Sequence, residues 1–273
     1  MGLRAAASSF PLSASPMPKH SFASLLLLCA VSAWSAIPRA PAGAPGPYDA
    51  KAWRADWPGC PWENGVSEGR LSVISRPAGN RWRVDYAPGR IGPSEGGAAW
   101  NQPFEGRDEV ILSYVVRFSS DFDWRRGGKL PGLGGGPGKT TGGRRADGIN
   151  GFSVRPMWRA DGRIEAYAYH AGQAKDYGDS LSLPKTFQLP RDQDVNIRLR
   201  VRLNHPDRAD GLLELKVSYG NTTAEVTAQT MVWRKASTLR ADKLLFETFH
   251  GGSDLSWAPD RACHAEFGDL RLD

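Results

Sequence analysis

Two short runs hold side chains of the types needed for acid–base chemistry on an anionic ligand. In the run 151–159, Gly-Phe-Ser-Val-Arg-Pro-Met-Trp-Arg, a strand reading places Ser153, Arg155, Met157 and Arg159 on one face. In the run 163–170, Arg-Ile-Glu-Ala-Tyr-Ala-Tyr-His, it places Tyr167 and Tyr169 on one face, with only Ala166 and Ala168 behind them. An arginine can grip a carboxylate through a two-pronged fork of N–H donors. A tyrosine beside a cation is biased toward its phenolate and can take or give a proton. Ala160-Asp161-Gly162 separates the runs. A three-residue loop with Gly162 in the left-handed region predicts Arg155 opposite Tyr167 and Ser153 opposite Tyr169. A two-residue Asp-Gly loop would send the arginine and the tyrosines to opposite faces.

Before these runs lies a Gly-rich basic stretch, 127–150, holding Lys129, Arg144 and Arg145. A loop of that length inside a compact domain usually serves function or is disordered. Taken singly, each of these residues is more often a solvated charge or a packed ring than a functional group. Their gathering on one face beside a cationic loop is what favours a site. With Arg159, His170 and His250, the two loop arginines are candidate substrate-binding residues. The scattered His and acidic residues show no ligand spacing, so neither a metal nor another cofactor is expected. A glycoside hydrolase needs two carboxylates across its site. Glu165 shares the face of Tyr167 but has no acidic partner at strand spacing.

The elements that must position these residues read as strands. The chain of 273 residues holds 31 Gly and 20 Pro, and no long helical period appears. Alternating runs occur at 81–86, 110–118, 196–203, 213–219, 243–249 and 265–270, with Asp210-Gly211 as a turn before the fourth. Short alternating strands without a βαβ rhythm predict an all-β fold, an antiparallel β-sandwich of jelly-roll type. The domain is expected to span 51–273. The net charge of +6 suits an anionic partner. No long basic run or RNP-like pattern points to nucleic acid. The 10 Trp and 7 Tyr fit sugar stacking, although most are expected in the core.

Residues 1–36 read as a secretory signal peptide. Lys19 and His20 precede the apolar run 25–31, and Ser32, Ala33, Ser35 and Ala36 follow it. Met17 opens a better-proportioned signal and is an alternative start. The run is too short to span a bilayer, so no membrane association is expected after processing. The Pro/Ala/Gly segment 37–50 is expected to be a flexible linker. Export makes a disulfide between Cys60 and Cys263 an expectation, with two separate buried thiols as the alternative.

Four segments together resemble polysaccharide lyase family 14, which includes alginate and glucuronan lyases. They are Gly-Gly-Lys-Leu-Pro-Gly at 127–132, the run 151–159, Glu-Ala-Tyr-Ala-Tyr at 165–169 and Thr-Phe-His-Gly-Gly-Ser-Asp at 248–254. The resemblance covers roughly residues 104–272. It implies a β-jelly roll and cleavage of an acidic polysaccharide by β-elimination in a secreted or periplasmic monomer. The family's functional lysine falls on Lys129, its serine and arginine on Ser153 and Arg155, and its tyrosine pair on Tyr167 and Tyr169. Elimination needs the uronate carboxylate neutralised, a base for the C5 proton and an acid for the departing O4. Tyr167, Tyr169 and Lys129 are all candidates for proton transfer. Two features depart from the family pattern: His250 replaces an aromatic, and the stretch 133–150 is idiosyncratic. Both bear on the substrate more than on the fold. A non-catalytic carbohydrate-binding module of the same fold is the alternative reading.

Overall fold

A computed structural model describes Met1, Gly2 and residues 37–273; the rest of the expected signal segment, 3–36, lies outside the described residues. The described residues form fifteen strands: β1 (Gly46–Pro47), β2 (Leu71–Arg76), β3 (Gly79–Tyr86), β4 (Gly97–Arg107), β5 (Glu109–Phe118), β6 (Gly127–Lys129), β7 (Gly132–Gly135), β8 (Phe152–Arg159), β9 (Ile164–Tyr169), β10 (Asp179–Ser182), β11 (Asp194–Arg202), β12 (Gly211–Tyr219), β13 (Thr222–Met231), β14 (Ala241–His250) and β15 (Cys263–Leu272). Two short α-helices, α1 (Ala50–Asp56) and α2 (Gly92–Glu95), join them. One sheet runs β1-β2-β3-β15-β5-β11-β12-β13, and the other β10-β9-β8-β6-β14-β4 with β7 bridging β8 and β14. The pairings are antiparallel, and the two layers form a jelly-roll sandwich.

Alternation decides which side of each strand is buried. On β11, Val195, Ile197, Leu199 and Val201 face the core opposite Val116, Tyr114, Leu112 and Val110 of β5. Arg198 and Arg200 face outward, where they meet Glu214 and Glu109. Aromatic rings fill the layer between the sheets. Trp100 stacks on Phe246 at 4.1 Å, and Trp57 meets Trp100 edge-on at 5.2 Å. Trp53, Trp57, Trp82, Trp100, Trp124, Trp158 and Trp233 are all buried, so most tryptophans serve the core.

Three expectations need correction. The segment 37–50 is not a free linker: Gly46–Pro47 pairs with β2, Tyr48 is buried, and Leu270 N–H donates to the Arg39 carbonyl. The Gly-rich stretch is not wholly loop, since it opens with β6 and β7, which complete the second sheet. The expected disulfide is absent, and both cysteines are free thiols. Cys60 lies against β4, where its thiol donates to the Asn101 carbonyl at 3.2 Å. Cys263 belongs to β15 of the other sheet and pairs with Tyr86. Lying near the two ends of the chain does not bring them to one layer, and burial pushes each thiol up to about 12.

Candidate active site

The outer face of the second sheet carries the candidate residues. Its centre is the hairpin of β8 and β9, whose register pairs Arg155 with Tyr167 and Ser153 with Tyr169. The loop between them has three residues, closed by Arg159 N–H donating to the Arg163 carbonyl. Asp161 (φ 62°) and Gly162 (φ 73°) both take left-handed backbone. The core side of the hairpin is Val154, Pro156 and Trp158 with Ala166 and Ala168. Pro156 has no N–H for a ladder bond, and β6 and β7 are broken opposite it. Its carbonyl still accepts from Leu130 N–H at 2.9 Å. At Gly132 a Cβ would lie 2.1 Å from the Val154 carbonyl oxygen and 2.7 Å from Arg155 Cγ. Only glycine lets the chain pass beside that arginine.

Lys129 ends β6 and pairs with Met157 on one side and Phe249 on the other. It therefore stands between β8 and β14 on the same outer face. Its Nζ lies 3.7 Å from Met157 Sδ and 4.9 Å from the centre of the Tyr167 ring. No carboxylate lies within ion-pair distance of it among the described residues. Burial first, then the Arg155 charge, holds its pKa well below 10.5, against an opposing pull from Glu247. Tyr167 is half-buried beside it. Burial and the neighbouring Tyr169 hydroxyl push Tyr167 above the usual phenol value, so the expected bias toward phenolate is not present. The Tyr167 and Tyr169 rings meet edge-on at 5.6 Å.

Arg155 is only 1% exposed. Its Nη1 donates to Glu247 of β14, and its Nη2 donates to Thr141 Oγ1 at 3.1 Å and Ser153 Oγ at 3.0 Å. Its Nε is buried without a partner. Ser153 Oγ donates to the Thr140 carbonyl at 2.5 Å, and the Tyr169 hydroxyl accepts from Gly143 N–H at 3.1 Å. The segment 140–143 thus lies over Ser153, Arg155 and Tyr169, leaving Lys129 and Tyr167 the more open pair.

Other expected residues divide clearly. Arg159 stays on the face, paired with Glu165, which also accepts from Ser180 Oγ at 2.7 Å. Arg144 and Arg145 are exposed on the loop, and Arg145 donates to the Gln173 carbonyl at 2.7 Å. His170 is buried beyond β9, with Nε2 3.0 Å from Asp179 and its ring 6.0 Å from Trp233. His250 is fully buried between the sheets, stacked on Phe122 at 5.5 Å, and does not reach the face. Its Nε2 donates to the Asp123 carbonyl at 2.6 Å, and burial lowers its pKa to about 4. Strand parity accounts for this: on β14, Leu244, Phe246, Thr248 and His250 share the core side, leaving Glu247 on the outer face. Sequence reasoning missed Glu247 and the Thr140–Thr141 contacts. Parity was a usable signal for the glutamate, and the aperiodic loop offered none.

A second groove, of about 1060 Å³, opens on the first sheet beside Arg76, Arg83 and Arg117. Each of these arginines already meets a carboxylate: Glu266, Asp85 and Asp192 respectively.

Comparison with known proteins agrees with the fold. The family model described as Polysaccharide lyase 14 matches residues 77–270. A marine PL-14 alginate lyase from Aplysia kurodai superposes with a TM-score of 0.76 at 24% identity, covering 88% of this chain and 98% of that one. The alginate lyase Aly36B gives 0.72 at 27% identity, covering 87% and 97%. An alginate lyase from a Chlorella virus gives 0.65 at 19% identity, covering 84% and 98%. No curated protein matches the chain.

Proposed function

The chain belongs to polysaccharide lyase family 14 and is a polysaccharide lyase; we propose that it cleaves a uronate polymer of the alginate or glucuronan type, with Lys129 and Tyr167 moving the protons. One observation carries this assignment of roles: the half-buried Lys129 amine stands 4.9 Å from the Tyr167 ring on the outer face of the sheet, with no carboxylate paired to it among the described residues.

The chemistry follows from the two groups' opposite environments. A lysine with a lowered pKa offers more neutral amine near neutral pH, and so a lone pair for the C5 proton. As that proton leaves, the C5–H electrons form the C4=C5 double bond and the C4–O4 bond breaks. Tyr167, held protonated, supplies a proton to O4. Environments that push two pKa values apart assign acid and base. The substrate carboxylate must be stabilised as charge moves onto it. Arg159 on the face and Arg155 beneath it supply positive charge. Direct contact between Arg155 and a carboxylate requires Thr141 to give up its hydrogen bond, so with that bond in place Arg155 acts from below. Ser153 and Tyr169 hold the loop segment 140–143 against this floor.

Aly36B, 27% identical, is an alginate lyase, and a variant of it has been solved with an alginate tetrasaccharide. That supports an acidic, uronate-containing substrate here. The apolar run 25–31 and its flanks support export. Incubation of the purified protein with polymannuronate, polyguluronate, alginate and glucuronan tests the reading. Ultraviolet absorbance from an unsaturated uronate end is expected with at least one polymer. Tight binding without that absorbance would instead mark a carbohydrate-binding module.

A further inference from the structure

Beyond the reactive pair, cations and aromatic rings alternate in one continuous series. Lys129 Nζ lies 4.9 Å from the Tyr167 ring, and Arg159 Cζ lies 5.9 Å from that same ring. Arg159 Cζ is also 5.8 Å from the Trp257 ring, and Arg126 Cζ is 5.0 Å from it. Trp257 lies in the short 3₁₀ turn Leu255–Trp257, and Arg126 directly precedes β6. The indole is built into its place. At Gly252 a Cβ would lie 2.0 Å from Trp257 Cε2, and at Gly127 one would lie 3.4 Å from Cζ3. Arg126 is exposed, and its Nη1 donates to Ser256 Oγ at 2.8 Å. No carboxylate lies within ion-pair distance of it among the described residues. Asp254 lies one hydroxyl further on, accepting from Ser256 Oγ. A guanidinium fixed over an indole and not in direct contact with a carboxylate keeps donors available to an incoming anion.

A polyuronate matches such a series chemically, with a carboxylate on each uronate residue and apolar patches on the ring faces between. We infer that Arg126, Trp257 and Arg159 form a subsite strip that binds the carboxylates of uronate residues on one side of the cleaved bond. The inference rests on the lyase reading of the neighbouring site. Arg126 and Trp257 act in binding and take no part in proton transfer. Arg126 binds a carboxylate directly, while Trp257 is a positioning residue that holds both guanidiniums.

Steady-state kinetics on the polymer that the wild-type protein cleaves best test this strip. Arg126→Ala should raise KM roughly two- to fivefold with kcat unchanged, the size of an exposed charge contact. Arg126→Lys should restore most of the loss and Arg126→Gln should not. Raising the salt concentration should shrink the difference between wild type and Arg126→Ala. Trp257→Ala should raise KM at least as much, and the Arg126→Ala/Trp257→Ala double variant should fall short of the product of the two effects. An unchanged KM in Arg126→Ala, or a loss of kcat with no change in KM, overturns the inference. The same variants are also compared for retardation by each of the four polymers in affinity gels. If the wild-type protein gives no product, the lyase reading fails. Weaker retardation of Arg126→Ala would then still support the strip, and equal retardation, or none for the wild type, would overturn it.

Discussion

Lys129 Nζ stands 4.9 Å from the centre of the Tyr167 ring, and their surroundings push their proton affinities in opposite directions. Burial and Arg155 lower the lysine; burial and Tyr169 raise the tyrosine. The two residues come from β6 and β9, with β8 between them. The same outer face therefore holds an amine whose charge is disfavoured beside a phenol whose proton is retained.

That arrangement sets the pH profile. A base works deprotonated, so kcat/KM should climb with pH through the depressed Lys129 pKa and level off well below pH 10.5. Tyr167 stays protonated above its usual value of 10.0, so its ionisation should cause no fall in rate up to that pH. A rising limb centred at or above pH 10.5 would mean an unperturbed lysine and would contradict the assignment.

The tyrosine pair should divide by role. Tyr167→Phe removes the acid and should lower kcat about 100- to 10,000-fold. Tyr169→Phe removes a hydroxyl that accepts from Gly143 N–H, a contact worth roughly 1 kcal/mol. It should lower the melting temperature slightly and change kcat far less. Equal kinetic losses in the two variants would refute the division.

Glu247 should matter to both stability and proton affinity. Its side chain is 15% exposed and that of Arg155 2% exposed. Removing one partner of a buried pair typically costs about 3–5 kcal/mol. Glu247→Ala and Arg155→Ala should each show a loss of that order in denaturant unfolding, so Arg155→Ala is not an inert probe of catalysis. Glu247→Gln should also move the rising limb of the pH profile to lower pH, because Glu247 opposes the depression of Lys129. An unmoved limb would show that the glutamate acts only on the fold.

His250 predicts an acid-sensitive fold. Its folded pKa is lowered to about 4 from 6.5, so between those values the unfolded chain binds a proton that the folded chain refuses. Stability contributed by the neutral ring is full above pH 6.5 and is lost as pH falls toward 4, by on the order of 3 kcal/mol. His250→Phe should flatten that part of the curve measured by denaturant unfolding. A curve of unchanged slope between pH 6.5 and 4 would contradict the burial argument.

Local parts of this fold are readable in the sequence, and the long-range ones are hidden there. The β8–β9 register follows from two alternating runs and one three-residue loop, so the pairing of Arg155 with Tyr167 is legible in the residues themselves. The Arg155–Glu247 contact spans 92 residues, and only the strand order of the second sheet brings it about. The cysteines mislead because their positions along the chain say nothing about which layer each occupies. The segment 37–50 misleads because its composition suits a linker, while Tyr48 still finds a place in the core. Thr140, Thr141 and Gly143 sit in a loop with no period to read, so no pattern announces their hold on Ser153, Arg155 and Tyr169.

Comparison of kcat/KM for the wild-type protein and Lys129→Ala, on whichever uronan gives ultraviolet-absorbing product, tests the central claim most directly. Lys129 lies at the end of β6, half-buried and without an ion pair among the described residues, so its truncation should leave the fold intact by circular dichroism. The account predicts a loss of about 100- to 10,000-fold, the usual worth of a general base. Retention of near-wild-type kcat/KM by folded Lys129→Ala would contradict it.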